Sequence, residues 1–111
     1  MSEKKKAILY CRSACISKDG AVLDAQEQML RKYARSQNYE IVEIIKESCS
    51  GKNLNRSGIN TIYQLVDTGE VDAVIAKDIS RYGRRLEDIF KLIKTLNEKG
   101  VKVLTVMDDD L

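Results

Sequence analysis

An apolar run near the start of the chain, Ala7 to Cys11, ends abruptly at Arg12. A run of about five apolar residues bounded by charged residues is typical of a strand that is buried on both faces. Strands of that kind belong to parallel sheets that are covered by helices. Ligands of such open sheets bind at the carboxyl ends of the strands. The pattern therefore predicts a central strand that delivers Arg12 to a site.

Three further apolar or β-branched runs follow, and segments with helical periodicity separate them. The predicted strands after the first are 41–45, 71–76 and 101–106, and the predicted helices are 22–36, 59–66 and 86–96. The loops between them are predicted over 17–20, 47–56 and 77–84. The order βαβαβαβ, with right-handed crossovers, predicts a three-layer α/β/α fold with a mostly parallel four-stranded central sheet.

Composition limits the class of protein. The 111 residues, of which 43% are hydrophobic and 32% charged, suffice for one globular domain. No apolar run reaches the roughly 18 residues of a membrane span, and the run after the basic N-terminus is too short for a signal peptide. Three cysteines without paired spacing indicate free thiols in a reducing compartment, so the expected location is the cytoplasm, with no membrane partner.

The absence of histidine limits the chemistry. A histidine-based nucleophile or proton relay is excluded, and a structural zinc site lacks its usual four ligands. We therefore expect no structural zinc site. The formal net charge of +2 is too small for a domain that holds nucleic acid by charge alone.

Arginines follow the predicted strands. Arg12, Arg56, Arg81 and Arg84 fall in the segments that leave the first three strands at their carboxyl ends. A guanidinium group keeps its charge and presents a planar fork that matches phosphate oxygens, so the cluster suits an oxyanion or a phosphodiester. Two alternatives stay open at this point. The arginines are solvated or paired with neighbouring carboxylates, or they bind a small phosphorylated ligand.

Four segments resemble motifs of the serine recombinases, the resolvase and invertase family, and above all of its large-recombinase branch. They are Tyr10-Cys-Arg12, Glu47-Ser-Cys-Ser-Gly51, Asn55-Arg-Ser-Gly-Ile59 and Lys77-Asp-Ile-Ser-Arg-Tyr-Gly-Arg84. Gln26 also falls where the first helix of the family's catalytic domain carries a glutamine. The resemblance covers nearly the whole chain, and its motifs occur in the family's order.

The resemblance implies a resolvase-like fold with flavodoxin-like topology and a function in site-specific DNA recombination. The family cleaves and rejoins DNA through a serine–5′-phosphate intermediate in a synaptic tetramer that forms from two homodimers, without metal or cofactor. Residues 1–111 would then be the N-terminal catalytic domain of a longer protein. Its dimerisation helix and DNA-binding domain would lie beyond this fragment and would supply most of the contact with DNA.

The resemblance also implies roles for individual residues. The expected phosphate binders are Arg12, Arg81 and Arg84. The expected supporting residues are Arg56, Gln26 and Tyr10, with Glu47 and Ser50 in secondary positions. These assignments agree with the placement of the arginines after the predicted strands.

The chain departs from the family at the nucleophile, because Ala14 occupies the position of the serine. A methyl group cannot attack phosphorus. Three explanations are open: an engineered substitution, a natural relative that has lost the chemistry, or a neighbouring nucleophile. The neighbours are Ser13, one residue early, and Cys15, one residue late. The alternative function is a non-catalytic, DNA-associated assembly or regulatory module derived from the same family.

Overall fold

A computed structural model of the chain describes residues 4–13, 19–48, 57–82 and 85–107. The strands in these ranges are β1 (Lys5–Ser13), β2 (Tyr39–Ser48), β3 (Ala73–Ala76) and β4 (Lys102–Thr105). The α-helices are α1 (Asp19–Ser36), α2 (Ser57–Asp67) and α3 (Leu86–Glu98), and a short 3₁₀ helix, η1, covers Ile79–Tyr82. The predicted alternation of strands and helices is confirmed.

The four strands form one sheet in the order β2-β1-β3-β4, and every neighbouring pair is parallel. The chain leaves β1 toward β2 and then crosses back over β1 to reach β3. The direction of strand addition therefore reverses between β1 and β3. In open α/β sheets, a reversal of this kind opens a crevice at the carboxyl ends of the two strands, where ligands bind.

Both faces of β1 are buried, as its apolar run predicted. Ile8 and Tyr10 point into a core formed with α2, α3 and η1. Leu9 and Cys11 point into a second core, formed with α1 on the opposite face. This alternation is the two-residue period of a strand, and it gives the three-layer α/β/α architecture.

Several boundaries differ from the predicted ones. The first helix starts at Asp19 rather than at the predicted 22, and β3 is limited to Ala73–Ala76. Asn38, between α1 and β2, has a positive φ of 64°. The largest difference is in β2, which continues to Ser48 and so contains Glu47, a residue that the sequence placed in a loop. The last three residues of this strand are polar, so the apolar pattern did not extend to its end.

The segment after β3 was predicted as a loop, but its first part is the 3₁₀ helix η1. Asp78 starts this turn, because its backbone carbonyl accepts the N–H of Arg81 at 3.1 Å. The Asp78 carboxylate also accepts the N–H of Ser80 at 3.1 Å. Aspartate side chains commonly stabilise such turns by accepting backbone N–H groups two residues ahead.

Gly100 follows the end of α3 and has a φ of 82°. The N–H of Gly100 donates to the carbonyl of Asn97 at 3.0 Å, and that of Val101 donates to the carbonyl of Leu96 at 2.9 Å. These two bonds form a Schellman motif, in which a left-handed residue after the helix satisfies its last carbonyls. The motif turns the chain directly into β4.

Tyr82 attaches η1 to the sheet. Its side chain is 1% exposed, and its hydroxyl lies 2.8 Å from the carbonyl of Leu104 and 3.1 Å from that of Val74. The Tyr82 ring stacks on that of Tyr10, with the ring centres 6.0 Å apart. One buried side chain therefore contacts β1, β3 and β4, and it fixes the turn that carries Arg81.

We predict that Tyr82→Phe lowers the free energy of unfolding by about 1–2 kcal/mol, because the ring is kept while the carbonyls of Val74 and Leu104 lose the one hydroxyl donor that they share. Urea denaturation followed by circular dichroism measures this change. Tyr63→Phe, at a half-buried tyrosine on α2, is the matched control, for which we expect a change within about 0.5 kcal/mol. Equal losses in the two variants would contradict the role given to the Tyr82 hydroxyl.

Stability should also fall at alkaline pH because of Cys11. Burial, and next the nearby carboxylate of Glu27, raise the pKa of the Cys11 thiol from 9.0 to about 11. Between these values the unfolded thiol loses its proton while the folded one keeps it, so the free energy of unfolding decreases as the pH rises. Urea denaturation across this pH range should show a shallower decrease for Cys11→Ala. Identical pH slopes for the two proteins would refute the assignment to Cys11.

Candidate functional site

Gln26 holds the backbone of Arg12 at the carboxyl end of β1. Its side chain is 3% exposed and lies on α1. Gln26 Oε1 accepts the N–H of Arg12 at 3.1 Å, and Nε2 donates to the carbonyl of Arg12 at 2.9 Å. Because β3 pairs with β1 only as far as Tyr10, the carboxamide takes the place of a neighbouring strand beyond that point. Arg12 is thereby fixed to α1 through its main chain.

Arg12 and Arg81 are linked through each other's backbone. Arg81 Nη1 donates to the carbonyl of Arg12 at 3.0 Å, and Arg12 Nη1 lies 3.5 Å from the carbonyl of Arg81. Arg12 comes from β1 and Arg81 from η1, which follows β3. The two arginines therefore meet at the carboxyl ends of β1 and β3, which is the edge of the sheet at which the sequence predicted converging arginines.

Asp78 is the acidic residue next to Arg81. Its Oδ2 lies 3.6 Å from Arg81 Nε, which is an ion pair but too long for a hydrogen bond. Its Oδ1 is engaged by Ser80. No functional role for Asp78 was predicted from the sequence, because the turn that brings its carboxylate to Arg81 was not predicted.

Tyr10 and Glu47 form a second set of contacts at the same edge. The Tyr10 hydroxyl donates to Glu47 Oε1 at 2.5 Å, and the N–H of Gly58 donates to Glu47 Oε2 at 2.7 Å. Glu47 lies near the end of β2, opposite Arg12 in the strand register. Its carboxylate satisfies an N–H group in the first turn of α2, where the helix dipole favours negative charge. One carboxylate thus connects β1, β2 and α2.

Gly58 makes this contact sterically possible. A Cβ atom at this position would lie 2.5 Å from the carboxyl carbon of Glu47, which is far closer than ordinary van der Waals contact. The glycine is part of the segment that resembles a family motif, but sequence analysis gave it no role. Only the close approach of Glu47 to α2 shows why a side chain does not fit there.

The structure brings together five of the residues singled out from the sequence, and they share the carboxyl edge of the sheet. These are Tyr10, Arg12, Gln26, Glu47 and Arg81. Ser13 is the last residue of β1. Four other candidate residues and the alanine at the nucleophile position lie outside the described ranges: Ala14, Cys15, Ser50, Arg56 and Arg84. The catalytic roles assigned to all of these residues stay predictions.

In the described ranges, no three or more His, Cys, Asp or Glu side chains are placed to hold a metal ion together. None of the helices there combines the length and the apolar character that crossing a membrane requires.

Comparison with known proteins identifies the family. The family model described as "Resolvase, N terminal domain" matches residues 7–111. The chain belongs to the resolvase family. A resolvase/recombinase of Pseudomonas putida is 30% identical over 98 residues, which cover 88% of this chain and 50% of that protein. The chain spans about half the length of the relatives it matches.

Solved structures of the family agree with this fold. The C-terminal catalytic domain of ISC1926 TnpA, an IS607-like serine recombinase, superposes with a TM-score of 0.81 at 29% identity, covering 94% of this chain and 71% of that chain. A resolvase family site-specific recombinase from Streptococcus pneumoniae gives a TM-score of 0.80 at 26% identity, with coverages of 93% and 72%. The resemblance to serine recombinases and the predicted α/β fold are therefore confirmed.

We predict that Gly58→Ala destabilises the domain by about 1–3 kcal/mol, because the new methyl group displaces the Glu47 carboxylate. Helix propensity alone predicts the opposite sign, since alanine is better than glycine inside a helix by about 1 kcal/mol. Urea denaturation of the variant measures which effect is larger.

A double-mutant cycle with Glu47→Ala identifies the cause. If the clash with the carboxylate is responsible, adding Gly58→Ala to the Glu47→Ala variant should cost little or should stabilise. If the two changes are additive, the loss comes from somewhere other than the Glu47 contact, and the explanation is wrong.

Proposed function

We propose that this chain is the catalytic domain of a site-specific DNA recombinase, in which Arg12 and Arg81 bind the phosphodiester that is cleaved. One observation carries the proposal: Arg12 from β1 and Arg81 from η1 are held together, because Nη1 of each lies within 3.5 Å of the other's backbone carbonyl oxygen. Membership of the resolvase family supports the reaction class. The crevice at the reversal of strand order is also where ligands of open sheets bind.

The arrangement suits phosphoryl transfer. In the transition state, negative charge develops on the phosphoryl oxygens, and fixed positive groups stabilise it without reorganisation during the reaction. An arginine supplies both charge and paired N–H donors in a rigid plane. Two arginines anchored through main-chain carbonyls can therefore provide the electrostatic stabilisation that a metal ion provides elsewhere. Arg56 and Arg84 are proposed as further phosphate contacts by resemblance.

The surrounding residues would maintain this geometry. Gln26 fixes the main chain of Arg12, and the Tyr10 hydroxyl donates a hydrogen bond to Glu47 at the same edge of the sheet. In the proposal, Ser50 belongs to the same edge by position. DNA is the substrate, and most of its contact area comes from segments outside residues 1–111. A dimer that pairs into a synaptic tetramer is the proposed assembly, and the match to about half of the relatives' length supports a longer whole protein.

The proposed chemistry needs a nucleophile that position 14 does not supply. In the family reaction, a serine oxygen forms a bond to phosphorus while the bond from phosphorus to the 3′ oxygen breaks. The serine proton is lost, and the leaving 3′ oxygen ends as a hydroxyl. Ala14 has no oxygen to carry out this step. Ser13 and Cys15 are the neighbouring groups that could replace it.

Ala14 also favours a second candidate function. A family member without its nucleophile can still bind DNA and contribute subunit contacts to an assembly that contains an active relative. We propose this non-catalytic assembly or regulatory module as the alternative. The two functions share the fold and the arginine site, and they differ in covalent chemistry.

The test is to restore the hydroxyl group with Ala14→Ser in the protein that carries this domain. The DNA is a fragment that the unmodified protein is first shown to protect from nuclease. We expect a covalent adduct with a free 3′ hydroxyl on the DNA, seen as a shifted band on a denaturing gel. Adding Arg12→Ala should then lower adduct formation by about 100-fold or more, because one fixed charge is lost.

The remaining outcomes separate the alternatives. If Ala14→Ser forms no adduct on DNA that it demonstrably binds, the non-catalytic module is the better description. If the unmodified protein itself forms an adduct, the nucleophile is a neighbour, and loss of the band in Ser13→Ala or Cys15→Ala identifies it.

A further inference from the structure

The orientation of Arg81 depends on groups at two ends of its guanidinium. Arg81 Nη1 donates to the carbonyl of Arg12 at 3.0 Å. Arg81 Nε is buried, and within the described ranges nothing accepts a hydrogen bond from it. The Asp78 carboxylate oxygen at 3.6 Å is an acceptor in reach of this N–H after a small adjustment. A buried donor without a partner is unfavourable. We therefore expect Arg81 Nε to move into hydrogen-bonding distance of the Asp78 carboxylate when a phosphate group fixes the rest of the guanidinium.

Asp78 is itself held in place. Its Oδ1 accepts the backbone N–H of Ser80 at 3.1 Å and the Ser80 hydroxyl at 2.5 Å. These bonds leave Oδ2 as the oxygen that faces Arg81 Nε. The two side chains are about a quarter exposed, at 24% for Asp78 and 26% for Arg81, so solvent screens their attraction only in part. The Asp78 carboxylate is therefore held at one position and can orient the Arg81 guanidinium.

We propose that Asp78 is a positioning residue that holds Arg81 through Nε and directs the rest of its guanidinium toward a bound phosphate. The inference rests on the proposed function, since it assumes that Arg81 binds a phosphate group. It gives Asp78 a role in binding an anion, which would not be expected from its negative charge alone. A carboxylate beside an anion site repels the anion, so its charge does not explain its presence there, whereas the turn that it stabilises and the orientation of Arg81 do.

The substitution Asp78→Asn separates orientation from charge. The amide has the same shape but a single acceptor oxygen, so it cannot serve both Ser80 and Arg81. Charge alone predicts tighter anion binding, because the variant loses one negative charge near the site. Positioning predicts weaker binding. The sign of the change in affinity therefore decides between them.

The experiment is a titration of the ¹⁵N-labelled chain with inorganic phosphate at constant ionic strength, followed by NMR. We expect Asp78→Asn to weaken phosphate binding by about fivefold, the size of one modest hydrogen bond. We also expect the Arg81 Nε–H signal, assigned by its loss in Arg81→Lys, to shift on phosphate addition in the unmodified chain and not in the variant.

Glu87→Gln is the matched control. Glu87 is an exposed residue of α3 whose carboxylate lies 4.0 Å from Arg85 Nη1, and this variant loses the same charge as Asp78→Asn. Its phosphate affinity should stay the same or rise slightly. Ser80→Ala gives a second route, because it removes one bond to Asp78 Oδ1 and keeps the charge. We expect it to weaken binding in the same direction by a smaller factor, even if Asp78→Asn were to unfold.

Two results would overturn the inference in different ways. If Arg81→Ala weakens phosphate binding while Asp78→Asn and Ser80→Ala leave it unchanged or tighter, the phosphate site exists and Asp78 does not position it. If Arg81→Ala leaves phosphate binding unchanged, Arg81 is not a phosphate ligand, and the proposed function fails together with the inference.

Discussion

The two hydrogen bonds between the Gln26 carboxamide and the backbone of Arg12 fix the edge of the sheet at which Arg12 and Arg81 meet. β1 continues beyond the last residue that β3 pairs with, so its final N–H and C=O groups need other partners. Unpaired buried groups of this kind cost about 1–3 kcal/mol each. Gln26 satisfies both groups at once from α1. The end of the strand is therefore as fixed as its middle, and the position of Arg12 follows from main-chain contacts.

The opposite side of the edge is fixed by aromatic and carboxylate contacts. Tyr82 bonds to carbonyls of β3 and β4 and stacks on Tyr10, so η1 cannot shift independently of the sheet. Tyr10 in turn bonds to Glu47, which also receives the N–H of Gly58 in α2. Each charged group at the edge is thus carried by a strand or a short helix that is tied to its neighbours. Sites on such elements keep their geometry better than sites on loops.

The sequence predicts those features of the structure that produce a regular repeat of apolar residues along the chain. The apolar run of β1 and the alternation of strands and helices gave the three-layer fold, and the parallel order placed Arg12 and Arg81 at one edge. Periodicity contains no information on η1, because that turn depends on the Asp78 carboxylate and backbone bonds over three residues.

The burial of Gln26 and the close approach of Glu47 to Gly58 could not be predicted from the periodicity of the sequence either. A glutamine on a helix next to an apolar stripe is compatible with solvent exposure, and only the missing strand partner of Arg12 shows why it is buried. Likewise, a glycine near a helix start has many explanations, and the position of the Glu47 carboxylate selects one of them. Both features arise from tertiary contacts between segments that are distant in sequence.

Ala14 lies outside the described ranges, and within those ranges the contacts that orient Arg12 and Arg81 are made by other residues. The described contacts of Arg12 and Arg81 come from the Gln26 carboxamide, from each other's carbonyls and from Asp78. A serine hydroxyl at position 14 would add a nucleophile to these contacts. In the proposed function, phosphate binding and covalent cleavage are therefore separate steps, and a chain without the nucleophile would still bind a phosphate group of DNA.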